Sequence, residues 1–142
     1  MGLLLTFFCV SIFFSFLCSI LEAVLLSITP AYVGLQEQEK TPIANDLTYF
    51  KEDIDKPLAA ILTLNTIAHT VGAIGVGSQA TTIFGSNSLT VFGLELISWE
   101  ALIAAIMTLA ILILSEVIPK TIGANNWERL TPLTVQLSLI HI

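Results

Sequence analysis

The chain has 142 residues, of which 55% are hydrophobic and only 11% charged, with a mean hydropathy of +0.89. That length suits one domain, but the charge falls far below the ~25% that coats a water-soluble one, and the hydrophobicity excludes a disordered chain. The net charge of -6, with no basic cluster and no interleaving of basic and aromatic residues, excludes a nucleic-acid surface.

Residues 2–28 are almost uninterrupted apolar sequence, with Glu22 as the only charge. A hydrocarbon core of ~30 Å takes about 20 helical residues, so this run crosses it with length to spare. It is too long for a signal peptide and has no Lys or Arg before it, so a retained helix is expected. Cys9 and Cys18 both lie within it and are expected to be small apolar helix residues rather than a disulfide or metal pair. Thr29-Pro30 ends the run.

Residues 31–56 are polar and charged, with Tyr32, Leu35, Leu47, Tyr49, Phe50 and Ile54 interspersed. Such a juxtamembrane segment suits either amphipathic helices at the headgroups or a solvated linker. A second span is expected over 58–84, opened by Pro57 and carrying Asn65, His69 and the glycines of 72–77. Gly85-Ser86-Asn87-Ser88 is a turn signal, and Trp99 is placed as an interfacial anchor. A third span is expected over 101–118, stopping at Pro119-Lys120. The last apolar stretch, 132–142, is too short to cross a bilayer and is expected to be re-entrant, interfacial or cut short, as in a fragment of a longer protein. The fold class is therefore all-α integral membrane, a single transmembrane domain over 1–142.

Orientation follows from the basic residues. Lys40, Lys51 and Lys56 lie between spans one and two, and Lys120 and Arg129 follow span three. The positive-inside rule then puts the N-terminus outside the cell and both basic segments in the cytoplasm.

Chemistry is concentrated in a few polar residues at membrane depth. Glu116 lies near the inner end of span three, where a carboxylate is costly unless it faces a bundle interior or an aqueous cavity. Pro119 has no N–H to give the carbonyl of Ser115. Carboxylate, hydroxyl and freed carbonyl together form an oxygen set that hard cations such as Mg²⁺ and Na⁺ require. The alternative is that Glu116 snorkels to the interface and pairs with Lys120 at i+4. In span one, Ser11, Ser15, Ser19 and Glu22 share one helix face, either for close helix packing or to line an ion site. Asn65 offers a carbonyl oxygen, whereas His69 is expected to be a hydrogen-bonded interior residue because imidazole suits a hard cation poorly. No nucleophile–base–orienter set is present, so no enzyme is expected.

Three stretches resemble the transmembrane domain of the CorC/cyclin-M (HlyC/CorC) family. They are Phe14-Ser15 through the S-x-x-E-A-x-L-L-S pattern of Ser19–Ser27, then Leu64-Asn65-Thr66, then SEVIPKTIG from Ser115 to Gly123. The resemblance covers nearly the whole chain. It implies divalent-cation transport linked to Na⁺-dependent Mg²⁺ export. It also implies a homodimer in the cell membrane and cytoplasmic CBS domains downstream, none of which lies within 1–142. It implies that Ser19, Asn65 and Glu116 surround a Mg²⁺ site, with Ser15, Ser27 and Ser115 as further candidates, and it leaves the motif carboxylate Glu22 without a role. This chain has His69 where the family often has a second Asn, a departure that bears on ion preference. A membrane-embedded Mg²⁺ sensor that carries no ions is the alternative function.

Overall fold

The computed structural model describes residues 2–84, 88–91 and 94–141. The turn expected at 85–88 lies outside them except for Ser88. Helix α1 runs Gly2–Ser27, α2 Pro30–Gln38, α3 Ala44–Glu52 and α4 Asp55–Phe84. A short antiparallel ribbon, β1 (Ser88–Val91) and β2 (Leu94–Ser98), joins α4 to α5 (Trp99–Leu112). A π-helical turn over Ile113–Val117 leads into α6 (Ile118–Asn125), and α7 runs Trp127–His141. The fold is a membrane-spanning helical domain, with the ribbon as a small addition to it.

Among the described residues, three helices are long and apolar enough to cross a membrane: Gly2–Ser27, Asp55–Ile83 and the continuous run Ala101–Asn125. Many of their large apolar side chains point outward, including Phe13, Ile67, Ile74, Ile106, Leu109 and Val117. In water such a surface would be an aggregation liability, whereas in a bilayer it faces lipid.

The third span does not stop at Pro119. A proline ring presses on the carbonyl four residues earlier, here Ser115, and breaks an ordinary α-helical turn. The chain widens through Ile113–Val117, where the Ile118 amide reaches back five residues to the Ile113 carbonyl, and so continues as helix to Asn125. Widened turns of this kind are frequent at functional sites.

The polar connector is two short helices. Thr29 caps α2 by accepting from the Tyr32 amide, with Pro30 in the first turn. At the other end of α2 the chain closes on itself: Lys40 takes φ 51°, its amide donates to Glu37, and the Thr41 amide donates to Gln36. From α3, Ala44, Leu47 and Phe50 point into the core. The apolar face expected at the headgroups is thus spent on the protein itself. Helix α7 begins five residues before the apolar stretch 132–142 and accepts Pro132 inside it.

Helix α1 is the centre of the bundle. It packs antiparallel to α4, as the facing pairs Phe7–Gly75, Ser11–Ala68 and Ser15–Asn65 require. It runs parallel to the third span: Leu4 shares a cluster with Ile103 and Met107 near its start, and near its end Glu22 meets Lys120 and Ile20 meets Gly123. Two apolar clusters bracket the bundle. Leu4, Val76 and Ala80 close the end near the N-terminus of α1. Cys18, Leu21, Leu25, Leu47, Phe50, Ile61 and Val135 close the other end, where Tyr32 stacks edge-on against Trp127 at 5.1 Å. Burying such side chains contributes about 25 cal/mol per Å² of apolar surface in water; against lipid, close packing takes over that role.

Candidate cation site in the bundle core

A polar layer lies between the two apolar clusters. Ser15 from α1 is its hub and is fully buried. Its hydroxyl donates to Asn65 Oδ1 on α4 at 2.6 Å, and its oxygen lies 2.6 Å from His69 Nε2. The same nitrogen lies 3.2 Å from Glu116 Oε1, carried by the π-helical turn. Three spans therefore contribute one connected cluster: a hydroxyl, an amide oxygen, an imidazole nitrogen and a carboxylate. Ser15 and Asn65 are buried, where a polar group without a partner costs about 1–3 kcal/mol, a cost their hydrogen bond avoids.

The spacing arises locally. Asn65 and His69 are one turn apart on α4 and so project to the same side. A turn further along, Gly72 has no side chain where a Cβ would overlap the Ser11 side chain, and Ser11 donates to the Ala68 carbonyl at 2.9 Å. That close approach brings α1 and α4 near enough for Ser15 to reach Asn65 and His69 together. On the third span the widened turn leaves Ser115 fully buried and Glu116 partly exposed, with its side chain 31% accessible.

The other candidate residues divide. Ser19, one turn along α1 from Ser15, is fully buried, and its hydroxyl has no partner among the described residues. Ser115 donates to its own helix at the Ile111 carbonyl, 2.6 Å away. Ser27 donates to the Ala23 carbonyl, two turns beyond Ser19, and does not join the cluster.

The i+4 pairing of Glu116 with Lys120 does not form. Glu116 turns to His69, and Lys120 crosses to α1, 3.1 Å and 3.3 Å from the two carboxylate oxygens of Glu22. Only the 3.3 Å contact, to Oε1, has hydrogen-bond geometry, which leaves Oε2 electrostatically paired but without a donor. Glu22 thus has a structural partner, tying α1 to α6 just beyond the polar layer.

His69, expected from the sequence to be a hydrogen-bonded interior residue, joins Ser15 to Glu116. One feature of the core was not singled out from the sequence: α7 buries Thr131, Thr134 and Ser138. Their i, i+3, i+7 spacing in an otherwise apolar stretch was the available signal. Thr131 donates to the Trp127 carbonyl, whereas Thr134 and Ser138 have no partner among the described residues.

Comparison with known proteins agrees with this architecture. Residues 4–140 match the family described as "Cyclin M transmembrane N-terminal domain". The "UPF0053 protein sll1254" of Synechocystis sp. is 31% identical over 107 residues, covering 75% of this chain and 28% of that protein. The chain thus spans little more than a quarter of that relative's length. No solved structure matches it significantly.

Proposed function

We propose, from the premise that the chain belongs to the cyclin M transmembrane N-terminal domain family, that it is the ion-carrying membrane domain of a divalent-cation transporter. Magnesium is its cargo, exported by alternating access and driven by sodium moving inward. The observation that carries this reading is one polar cluster drawn from three spans, in which His69 links Ser15 and Asn65 to Glu116, with the hydroxyl of Ser19, unpartnered among the described residues, one turn from Ser15.

The donor spacing supports it. Bond lengths near ~2.1 Å imply octahedral edges of about 2.9 Å between neighbouring ligands. The oxygen–oxygen edge of the cluster, Ser15 to Asn65, is 2.6 Å, and the contacts of 2.6 and 3.2 Å that link Ser15 to Glu116 run through His69 Nε2. Admitting an ion therefore requires exchange of the internal hydrogen bonds. Glu116 supplies the negative charge, Ser15 and Asn65 supply neutral oxygens, and the free lone pairs of Ser19 gain a partner. Ser115 contributes by shaping the turn that carries Glu116.

The basic residues support an N-terminus outside the plasma membrane, because every segment that bears them leaves the bundle at the end where α1 finishes. Homodimerisation and cytoplasmic CBS domains belong to the same proposal.

Mg²⁺ efflux from loaded cells, compared with Glu116→Ala, tests it. Loss of efflux with retained membrane expression is the expected result; unchanged efflux refutes the assignment. Saturable Mg²⁺ binding without flux in reconstituted vesicles would make the domain a sensor instead.

A further inference from the structure

We infer that His69 is a metal ligand that gives the site a nitrogen donor and so admits first-row transition divalent ions, Zn²⁺ above all, alongside Mg²⁺. This rests on the cation-site reading above and concerns which ions the site accepts.

The argument begins with the direction of the ring. His69 meets Ser15 and Glu116 through the same nitrogen, Nε2, at 2.6 and 3.2 Å. Any ion held between Ser15 Oγ and Glu116 Oε1 would meet that nitrogen. A neutral imidazole with its proton on Nδ1 offers Nε2 as a lone-pair donor. One Nε2 proton, by contrast, cannot serve both Ser15 and Glu116 fully, so a cation in its place satisfies more of the cluster than a proton does.

Donor chemistry then decides the preference. Imidazole is a strong ligand for zinc and other borderline ions and a poor one for magnesium, which favours oxygen. A zinc site takes His nitrogen at ~2.0–2.1 Å and carboxylate oxygen at ~2.0–2.2 Å in tetrahedral geometry, giving ligand–ligand edges near ~3.3 Å. The His69–Glu116 edge of 3.2 Å is close to that length, whereas Ser15 lies 2.6 Å from both His69 and Asn65 and must move outward to join a tetrahedral set. Asn65 and Ser15 complete four donors from the same cluster. Among the described residues no group of three His, Cys, Asp or Glu side chains forms a metal cluster. The nitrogen therefore works with one carboxylate and two neutral oxygens, a set suited to an ion that must also leave.

The test measures binding to the purified protein in detergent, with Zn²⁺ and Mg²⁺ titrated separately into wild type, His69→Asn, His69→Gln and Glu116→Gln. His69→Asn should weaken Zn²⁺ at least tenfold and change Mg²⁺ less than threefold, whereas Glu116→Gln should weaken both. Pulsed electron paramagnetic resonance of the Mn²⁺-loaded wild type should show a directly bonded nitrogen, absent from His69→Asn. Equal losses of Zn²⁺ and Mg²⁺ in the folded His69 variants, or Mn²⁺ bound without nitrogen coupling, overturn the inference while leaving the oxygen site intact. If neither variant folds, the wild-type spectrum alone decides. Binding of none of these ions to the wild type overturns the cation-site reading itself, and this inference with it.

Discussion

Replacing Gly123 with alanine should separate α6 from α1 and destabilise the bundle. A Cβ at 123 would lie 2.9 Å from Ala23 Cβ, 3.0 Å from the Ile20 carbonyl oxygen and 3.4 Å from Ile20 Cα. Two of these are backbone atoms and the third is a Cβ, so no rotamer change relieves the crowding. The helices must part by several tenths of an ångström. Overpacking of this kind costs about 1–3 kcal/mol, offset by the ~1 kcal/mol by which alanine outranks glycine in a helix. The expected net loss is about 0–2 kcal/mol, at the low end of that range if α6 tilts rather than shifts. Gly77→Ala is the control: nothing lies within 4 Å of its Cβ position, so only the helix gain remains. The two variants should differ by about 2 kcal/mol in reversible denaturation from mixed micelles, far outside the error of such a series. Since Lys120 sits one turn before Gly123, the same variant should loosen the Glu22–Lys120 pair. A Gly123→Ala protein as stable as Gly77→Ala would refute the packing argument.

Lys120→Met should destabilise by about 1–3 kcal/mol, less than the loss of a fully buried pair because the lysine is partly exposed. Adding Glu22→Gln should recover most of that loss, which a double-mutant cycle measures. Ser15→Ala removes the hub of the polar layer and strands Asn65 and His69; a stability loss of about 1–3 kcal/mol and weakened cation binding are expected. Tyr32 should titrate late, because burial, then the carboxylates of Glu128 and Glu39, raise its phenol above the ordinary value. Its folded pKa exceeds its unfolded one, so its contribution is complete below about pH 10 and is lost as pH rises through the raised value. Tyr32→Phe should flatten that alkaline loss, and absorbance titration should no longer show the late phenol.

Composition and periodicity determined much of this protein. Uninterrupted apolar runs of spanning length leave helix as the available structure, since a bilayer offers no partner to an open backbone. The rarity of charge at membrane depth singled out Glu116 before any coordinate was known, and the i, i+4, i+8 serines declared a face of α1. Partners were not legible, because helix periodicity says which residues share a face but not which face of another helix meets it. Lys120 had Glu116 one turn away on its own helix, yet the parallel crossing at Gly123 carried it to Glu22. His69 looked like an interior hydrogen-bonding residue from composition alone. Only the close approach at Gly72 and the widened turn before Pro119 brought its Nε2 between Ser15 and Glu116. The spans were local properties of the chain; the cluster is a property of how three of them cross.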